Sequence, residues 1–184
     1  MLYRSTSTNR LRALSALSAL WCLLAGSASA AEALTPASVL ADINARGAYA
    51  VVNDIFEKPE WGELLDHIET GQRQWLAVAV KIYVGSDAGS AEMLTSAVGV
   101  ALLHQLRQVL LKVAPVLGMG PICSSPDIDD PRWSTQEKTV ANLDARIASV
   151  SKLRGADVTS ARDSCLKYLR EARAFLLSPN GPYS

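Results

Sequence analysis

The sequence predicts an all-α fold, and three observations support that class. Helix-starting residues such as Thr35-Pro36 precede the apolar stretches. No stretch keeps the two-residue alternation of a half-buried strand. Apolar residues recur at the three- and four-residue spacing of a helix face, the clearest set being Val140, Leu143, Ile147 and Val150. We therefore expect about six to seven helices ending in an α-hairpin, arranged as a compact bundle or a short HEAT-like stack.

The first half of the chain is predicted to form three helices. Thr35-Pro36 supplies an N-cap and a proline suited to the first helical position, and the helical pattern then runs to about residue 57. Gly47 within this stretch marks either a break or a site of close packing, and both readings stay open. A second helix is expected over 59–71 and a third over 72–83.

Two further helices precede the longest irregular segment. Ser90 is the expected N-cap of the fourth helix, which has Met93 on its apolar face. The apolar run bends near His104 and continues to Leu117 as the fifth helix. Residues 118–133 hold five Gly and Pro residues and are expected to be irregular.

A terminal α-hairpin is the clearest local prediction. Ser134 and Glu137 match a capping box, in which each side chain satisfies the free backbone amide of the other residue. Gly155 ends this helix, and a second apolar pattern over 158–176 places Cys165 on its apolar face.

Residues 1–30 read as a cleaved secretory signal peptide. A basic start ends at Arg12, an uncharged Leu- and Ala-rich stretch covers 13–25, and Ala28 and Ala30 fit the −3 and −1 positions of a cleavage site. The apolar stretch is shorter than the about 20 residues that a membrane-spanning helix needs. An uncleaved anchoring helix is the alternative. We expect cleavage after Ala30, a periplasmic location and a single domain over 31–184.

Charge and composition narrow the class of partner. The chain has 18 basic and 18 acidic residues and is 49% hydrophobic, which excludes a disordered chain and argues against nucleic-acid binding. Residues 1–30 hold three of the basic residues and none of the acidic ones, so their removal leaves a net charge of −3. We expect a chain that is not membrane-embedded, and homo-oligomers remain open.

Export would leave two cysteines, because Cys22 lies in the signal region. An even count in an oxidising compartment predicts a disulfide between Cys123 and Cys165, with two buried thiols as the alternative. The chain has no CxxC pair, which argues against a catalytic cysteine.

The sequence offers little enzyme chemistry. The two histidines, His67 and His104, lack the HExxH spacing, and the chain has no nucleophile elbow, P-loop or dinucleotide fingerprint. Asp127, Asp129 and Asp130 form an acidic cluster without the glycine and distal glutamate of a calcium loop, so a solvated turn is the better interpretation. We expect no enzyme, no metal and no cofactor.

A small, polar loop that leads into a helix is the first candidate for a partner-binding site. Small side chains at a protruding tip let the backbone enter a narrow cleft, as in an inhibitor of a hydrolase. A plain helix-to-helix connection with an N-cap has the same composition, and that alternative stays open. The candidate residues are Gly85, Ser86, Asp87, Gly89, Ser90 and Glu92.

Four stretches resemble an uncharacterised family of exported, all-helical proteobacterial proteins. They are 75–79, 85–92, 122–132 and the terminal helix around Cys165. The family offers no catalytic residues to transfer. The whole is more faintly similar to periplasmic immunity proteins of type VI secretion systems, which block peptidoglycan amidases of the Cys–His class. That resemblance implies an inhibitor whose 85–92 loop occludes an amidase effector. The alternative is a structural or adaptor protein of the cell envelope.

Overall fold

Helices dominate residues 34–124 and 130–183, the part of the chain that this computed structural model describes, and no strand occurs there. The described residues belong to one compact unit, Leu34–Ser184. The helices are α1 (Pro36–Arg46), α2 (Ala48–Ile55), α3 (Pro59–Glu69), α4 (Arg73–Tyr83), α5 (Ala88–Ala101), α6 (106–117), α7 (Met119–Ile122), α8 (Gln136–Ser151) and α9 (Thr159–Leu176). The all-α prediction is confirmed. The proposed signal peptide lies outside the described residues.

Gly47 divides the first predicted helix in two. Its φ of 85° is a backbone conformation that residues with a side chain rarely adopt, and its N–H closes α1 on the carbonyl of Ile43 at 2.8 Å. Thr35 caps α1 as predicted, with its side chain accepting from the Ser38 amide. The open question at Gly47 is therefore decided in favour of a break. This division and the short helix α7 account for the nine helices of the described part.

Helix α6 contains a π-helical stretch, Val109–Val113, between two short α-helical pieces. Pro115 follows it and has no amide hydrogen to donate to the carbonyl four residues earlier. The chain relieves this conflict by widening one turn, in which the amide of Ala114 donates to Val109. The predicted bend near His104 is confirmed, because residues 102–105 separate α5 from α6 and His104 is exposed.

The helices pack as a bundle. Helix α3 packs mainly on α5, α1 packs on α4, and α8 and α9 form the predicted terminal hairpin. A stack of consecutive hairpins would instead pair neighbouring helices throughout. Fully buried core residues come from many helices, including Leu64, Leu76, Leu94, Leu110, Leu143 and Leu169. Within the described ranges, no helix combines the length and apolar character needed to cross a bilayer.

A disulfide joins the end of α7 to α9. The sulfurs of Cys123 and Cys165 are 2.04 Å apart, and both residues are fully buried. The predicted pairing is confirmed. The bridge holds the residue that follows α7 against the terminal hairpin.

The first hairpin helix begins one residue later than predicted. Its N-cap is Thr135, whose side chain accepts from the amide of Lys138, and not Ser134 in a box with Glu137. Ser134 instead follows a 3-10 turn, Pro131–Trp133. Ser134 has the helical backbone conformation that ends this turn, whereas Thr135 has the extended backbone conformation typical of an N-cap.

Candidate functional site

The predicted loop is a capped helix start. Asp87, not Ser90, is the N-cap of α5, so the predicted cap residue was wrong. The Asp87 carboxylate accepts from the Ser90 amide at 2.9 Å, and the Asp87 amide donates to the Ser90 hydroxyl at 2.9 Å. Each side chain thereby accepts a hydrogen bond from the free backbone amide of the other residue, as in a capping box. Gly89 and Ser90 consequently lie in the first turn of α5, and Glu92 begins the second.

The loop contacts the backbone at the start of α2 through Gly85. A Cβ atom at this position would lie 2.2 Å from the amide nitrogen of Tyr49 and 2.3 Å from the carbonyl carbon of Ala48. Such distances are possible only for glycine, because the atoms that would clash belong to backbone. The role of Gly85 is therefore to let the loop lie directly on α2.

The six predicted loop residues divide into a supporting set and an accessible set. Ser90 is fully buried and Gly85 and Ser86 are half-buried, whereas Asp87, Gly89 and Glu92 are exposed. Hydrogen bonds from Ser90 hold the pKa of Asp87 below its usual range, so this side chain is negative at neutral pH. A partner that binds this loop would contact exposed backbone at Gly89 and the carboxylates of Asp87 and Glu92.

Exposed apolar side chains border the loop. Tyr49 is 69% exposed, Val84 is 78% exposed and Met93 is 37% exposed. Tyr49 lies next to Gly85 across the loop–helix contact, Val84 precedes Gly85, and Met93 follows Glu92. Single exposed apolar residues are common, but a group around one polar loop is typical of a protein-binding surface.

A groove lies between α3 and α5. A Cβ at Gly89 would lie 3.6 Å from the ring of Phe56, just before α3, so the two helices start close together. Further along, Glu69 at the end of α3 lines the same cavity as Ser96 of α5, so the helices run in the same direction. The cavity has a volume of about 240 Å³ and is lined by Leu65, Glu69, Met93, Ser96, Ala97, Asp130 and Arg132.

An ion-pair network forms the far end of this groove. The Arg132 guanidinium donates to both Glu69 oxygens, at 2.5 and 2.7 Å, and its Nε donates to Asp130 at 2.8 Å. The carboxylates are largely buried, with 16% and 18% side-chain exposure. Hydrogen bonds from Arg132 lower the pKa of Asp130, and those from both carboxylates raise the pKa of Arg132. Two carboxylates and one guanidinium carry one net negative charge, which the positive charge of nearby Arg146 offsets.

A buried arginine lies close to this network. Arg146 of α8 is 1% exposed, and its only hydrogen bond in the described part is from Nη1 to the carbonyl of Ser124 at 3.4 Å. Its Nε and Nη2 have no hydrogen-bond partner there. Burial lowers its pKa to about 10, and the charge of Glu69 acts in the opposite direction. Gly99 makes room for it, since a Cβ there would lie 3.0 Å from Nη1.

His67 of α3 packs against a tryptophan of α4. His67 stacks on Trp75 with ring centroids 4.4 Å apart and an interplanar angle of 3°, and its nearest carboxylate is Glu63 at 3.7 Å. Residues 34–124 and 130–183 contain no group of three or more His, Cys, Asp or Glu that could hold a metal. Asp127 and Asp129 of the acidic cluster lie outside the described residues, and Asp130 is paired with Arg132.

Sequence reasoning missed the groove and its charged end. Glu69 and Arg132 are 63 residues apart, so no local motif joins them. Arg146 did carry a signal, because it lies three residues after Leu143 and four before Val150, on the apolar side of its helix.

Comparison of this chain with protein-family models, with curated proteins and with solved structures finds no match. The resemblance to immunity proteins therefore depends on the residues of this chain alone.

Proposed function

We propose that this chain is a periplasmic inhibitor, an immunity protein that occludes the active site of a peptidoglycan amidase delivered by type VI secretion. The observation that supports it best is the surface around the α4–α5 loop. Exposed Asp87, Gly89 and Glu92 are bordered there by the exposed apolar residues Tyr49 and Val84. This combination of small, acidic and apolar groups suits a partner with a narrow, cationic cleft.

The loop is pre-organised for such a contact. The capping box of Asp87 and Ser90 and the backbone contact at Gly85 hold it in one conformation before any partner binds. A rigid binding segment loses little conformational entropy on association, and affinity rises accordingly. In the proposed complex, the backbone near Gly89 enters the Cys–His cleft, and the two carboxylates face its basic rim.

Export is part of the same proposal, with residues 1–30 removed after Ala30. The buried disulfide is compatible with an oxidising compartment, where such bridges persist. The resulting net charge of −3 would favour encounter with a cationic amidase.

The test mixes the purified protein with Cys–His amidases encoded beside it and measures peptidoglycan cleavage. Inhibition at micromolar concentration and co-elution are expected. Gly89→Trp should weaken inhibition, because a large side chain at the tip blocks entry to the cleft. Ala145→Trp, at an exposed position of α8, is the control and should inhibit normally. Unchanged cleavage together with separate elution would overturn the proposal.

The second candidate is an envelope adaptor without inhibitory activity. A separate exposed apolar group at the end of the chain favours it, since Phe175 is 56% exposed and Leu177 is 51% exposed. A photo-crosslinking residue at position 177 should then capture an envelope complex in cells, whereas one at position 89 should capture nothing. Capture of an amidase at position 89 would contradict the adaptor function.

A further inference from the structure

The end of α7 covers the buried guanidinium of Arg146. A Cβ at Gly99 of α5 would lie 3.0 Å from Arg146 Nη1 and 3.0 Å from the carbonyl oxygen of Ile122, so α5, the arginine and the end of α7 meet at one point. Nη1 also donates to the carbonyl of Ser124 at 3.4 Å. The backbone of residues 122–124, the cover, therefore forms one wall of the space that holds the guanidinium.

The disulfide is attached to the middle of this cover. Cys123 lies between the two residues whose carbonyls approach the guanidinium, and its sulfur is bonded to that of Cys165 in α9. We propose that the bridge is a redox-sensitive latch. In the bridged chain the cover stays closed over Arg146, whereas in the chain with two thiols it opens and lets water reach the guanidinium. This device is independent of the proposed inhibition.

Polar atoms without partners favour opening of the cover. Within the described ranges, Nε and Nη2 of Arg146 and Oδ1 of Asn142 are buried and have no hydrogen-bond partner. Asn142 lies one turn before Arg146 on the same face of α8. A buried charge or polar group without a partner raises the free energy of the closed state, and water that enters on opening removes this penalty.

The cover has few other attachments to the rest of the described part. Besides the contact to the arginine, its hydrogen bonds are local. The amide of Cys123 donates to Met119 at 3.0 Å. The hydroxyl of Ser124 donates to Pro121 at 2.9 Å. The fully buried side chain of Ile122 opposes opening, and the bridge adds a covalent attachment to α9, so loss of the bridge shifts the balance toward the open state.

Thiol–disulfide exchange converts one state into the other. To form the bridge, the thiols of Cys123 and Cys165 lose two protons and two electrons, which reduce a disulfide oxidant to two thiols. A dithiol reductant reverses the step, because its own sulfurs join and the bridge sulfurs become thiols again. Both cysteines are fully buried in the closed state, so a reductant reaches them only when the chain opens.

Chemical labelling of arginine measures the opening. Phenylglyoxal modifies guanidinium groups that solvent reaches, and mass spectrometry assigns the labelled residues. In Cys123→Ala/Cys165→Ala, Arg146 should be labelled at least about tenfold faster than in the original chain, within the about thousandfold that a bridge of this loop length can contribute. Exposed Arg170 of α9 should be labelled equally in both chains. The original chain, fully reduced with dithiothreitol, should match the variant.

Two comparisons separate local opening from a general loss of stability. Gly85→Ala weakens the fold at the α4–α5 loop and keeps the bridge, so Arg146 should stay protected in it. In the bridge-free variant, the labelling rate should stay constant at low urea concentrations, because a local opening exposes little surface.

Hydrogen exchange tests whether the buried charge drives the opening. The amide of residue 123, which donates to Met119, should exchange at least about tenfold faster without the bridge than with it. Adding Arg146→Met to the bridge-free variant should slow this exchange again by about tenfold or more. Lys138→Met, which removes an exposed charge from the same helix, is the control and should leave the exchange rate unchanged.

Four results would overturn the latch: equal labelling of Arg146 with and without the bridge, labelling that rises with urea, rapid labelling in bridged Gly85→Ala, or exchange at residue 123 that stays fast after Arg146→Met. If the bridge-free variant does not fold, the same chain with Arg146→Met provides the test. It should fold with slow exchange at residue 123, and fast exchange there would contradict the proposal.

Discussion

Replacing Arg146 by methionine should stabilise the protein. The guanidinium lies in the core with 1% exposure, and two of its nitrogens have no hydrogen-bond partner within the described ranges. A buried charge without full compensation destabilises the folded state. Methionine is long, flexible and apolar, so it can occupy most of the same space beside Gly99 without that charge.

The size of the effect follows from the burial of the charge. Burial lowers the pKa of Arg146 from its ordinary value to about 10, which corresponds to about 3 kcal/mol of unfavourable free energy in the folded state. The lost hydrogen bond to Ser124 is long, at 3.4 Å, and contributes at most about 1 kcal/mol. We therefore expect Arg146→Met to raise the free energy of unfolding by about 2 kcal/mol.

Urea unfolding at neutral pH measures this difference. Lys138→Met removes an exposed positive charge from the same helix and should change stability by less than about 0.5 kcal/mol. Above pH 10 the folded chain releases the Arg146 proton before the unfolded chain does, so its stability rises relative to the methionine variant. The gain from Arg146→Met should therefore shrink there. A variant less stable than the original by about 1 kcal/mol or more would refute the reasoning, because the guanidinium would then be well compensated.

Three further predictions concern the bridge and the loop. Changing Cys123 and Cys165 to Ala together should lower the free energy of unfolding by about 4 kcal/mol, because the bridge closes a separation of 42 residues. Urea unfolding measures the difference, and a loss below about 1 kcal/mol would contradict the prediction. Gly85→Ala should destabilise by about 1–3 kcal/mol through its clash with the α2 backbone, whereas Gly62→Ala, with open space around it, should stabilise by about 0.5–1 kcal/mol. Equal changes in the free energy of unfolding for the two variants would show that the loop can move away from α2. Asp87→Ala should lower the melting temperature more than Asp87→Asn, which keeps the capping acceptor. The folded pKa of Asp87 is lowered, so its contribution to stability is present at neutral pH and lost as the pH falls through that pKa. Melting curves between pH 6 and about 2 measure this, because the difference in melting temperature between the original chain and Asp87→Asn should shrink as the pH falls.

Local patterns predicted the helices well because the signals that start and end a helix are local. Thr35, Pro36 and the glycine at 47 act on backbone atoms within a turn of themselves. The errors at Ser90 and Ser134 have a common cause. In both places a second capping residue stands close by, Asp87 and Thr135, and the choice between them depends on the packing of neighbouring turns.

The buried face of α8 was harder to predict for a different reason. The apolar pattern placed Val140 and Ile147 inward, yet both are half-buried, whereas Asn142 and Arg146 are buried. The helix is thus rotated relative to its apolar residues. Space next to Gly99 on α5 receives the guanidinium, and no pattern within α8 contains that information.

The residues on either side of 125–129 are held by different interactions. The bridge fixes Cys123, whereas Arg132 is held by its ion pairs with Glu69. The 3-10 turn that carries Arg132 is anchored independently, because the carbonyl of Trp133 accepts from Thr139 at 3.0 Å and from Tyr183 at 2.8 Å. The charged end of the groove therefore does not depend on the disulfide. A chain without the bridge should unfold more easily and yet, while folded, keep the ion pair between Arg132 and Glu69.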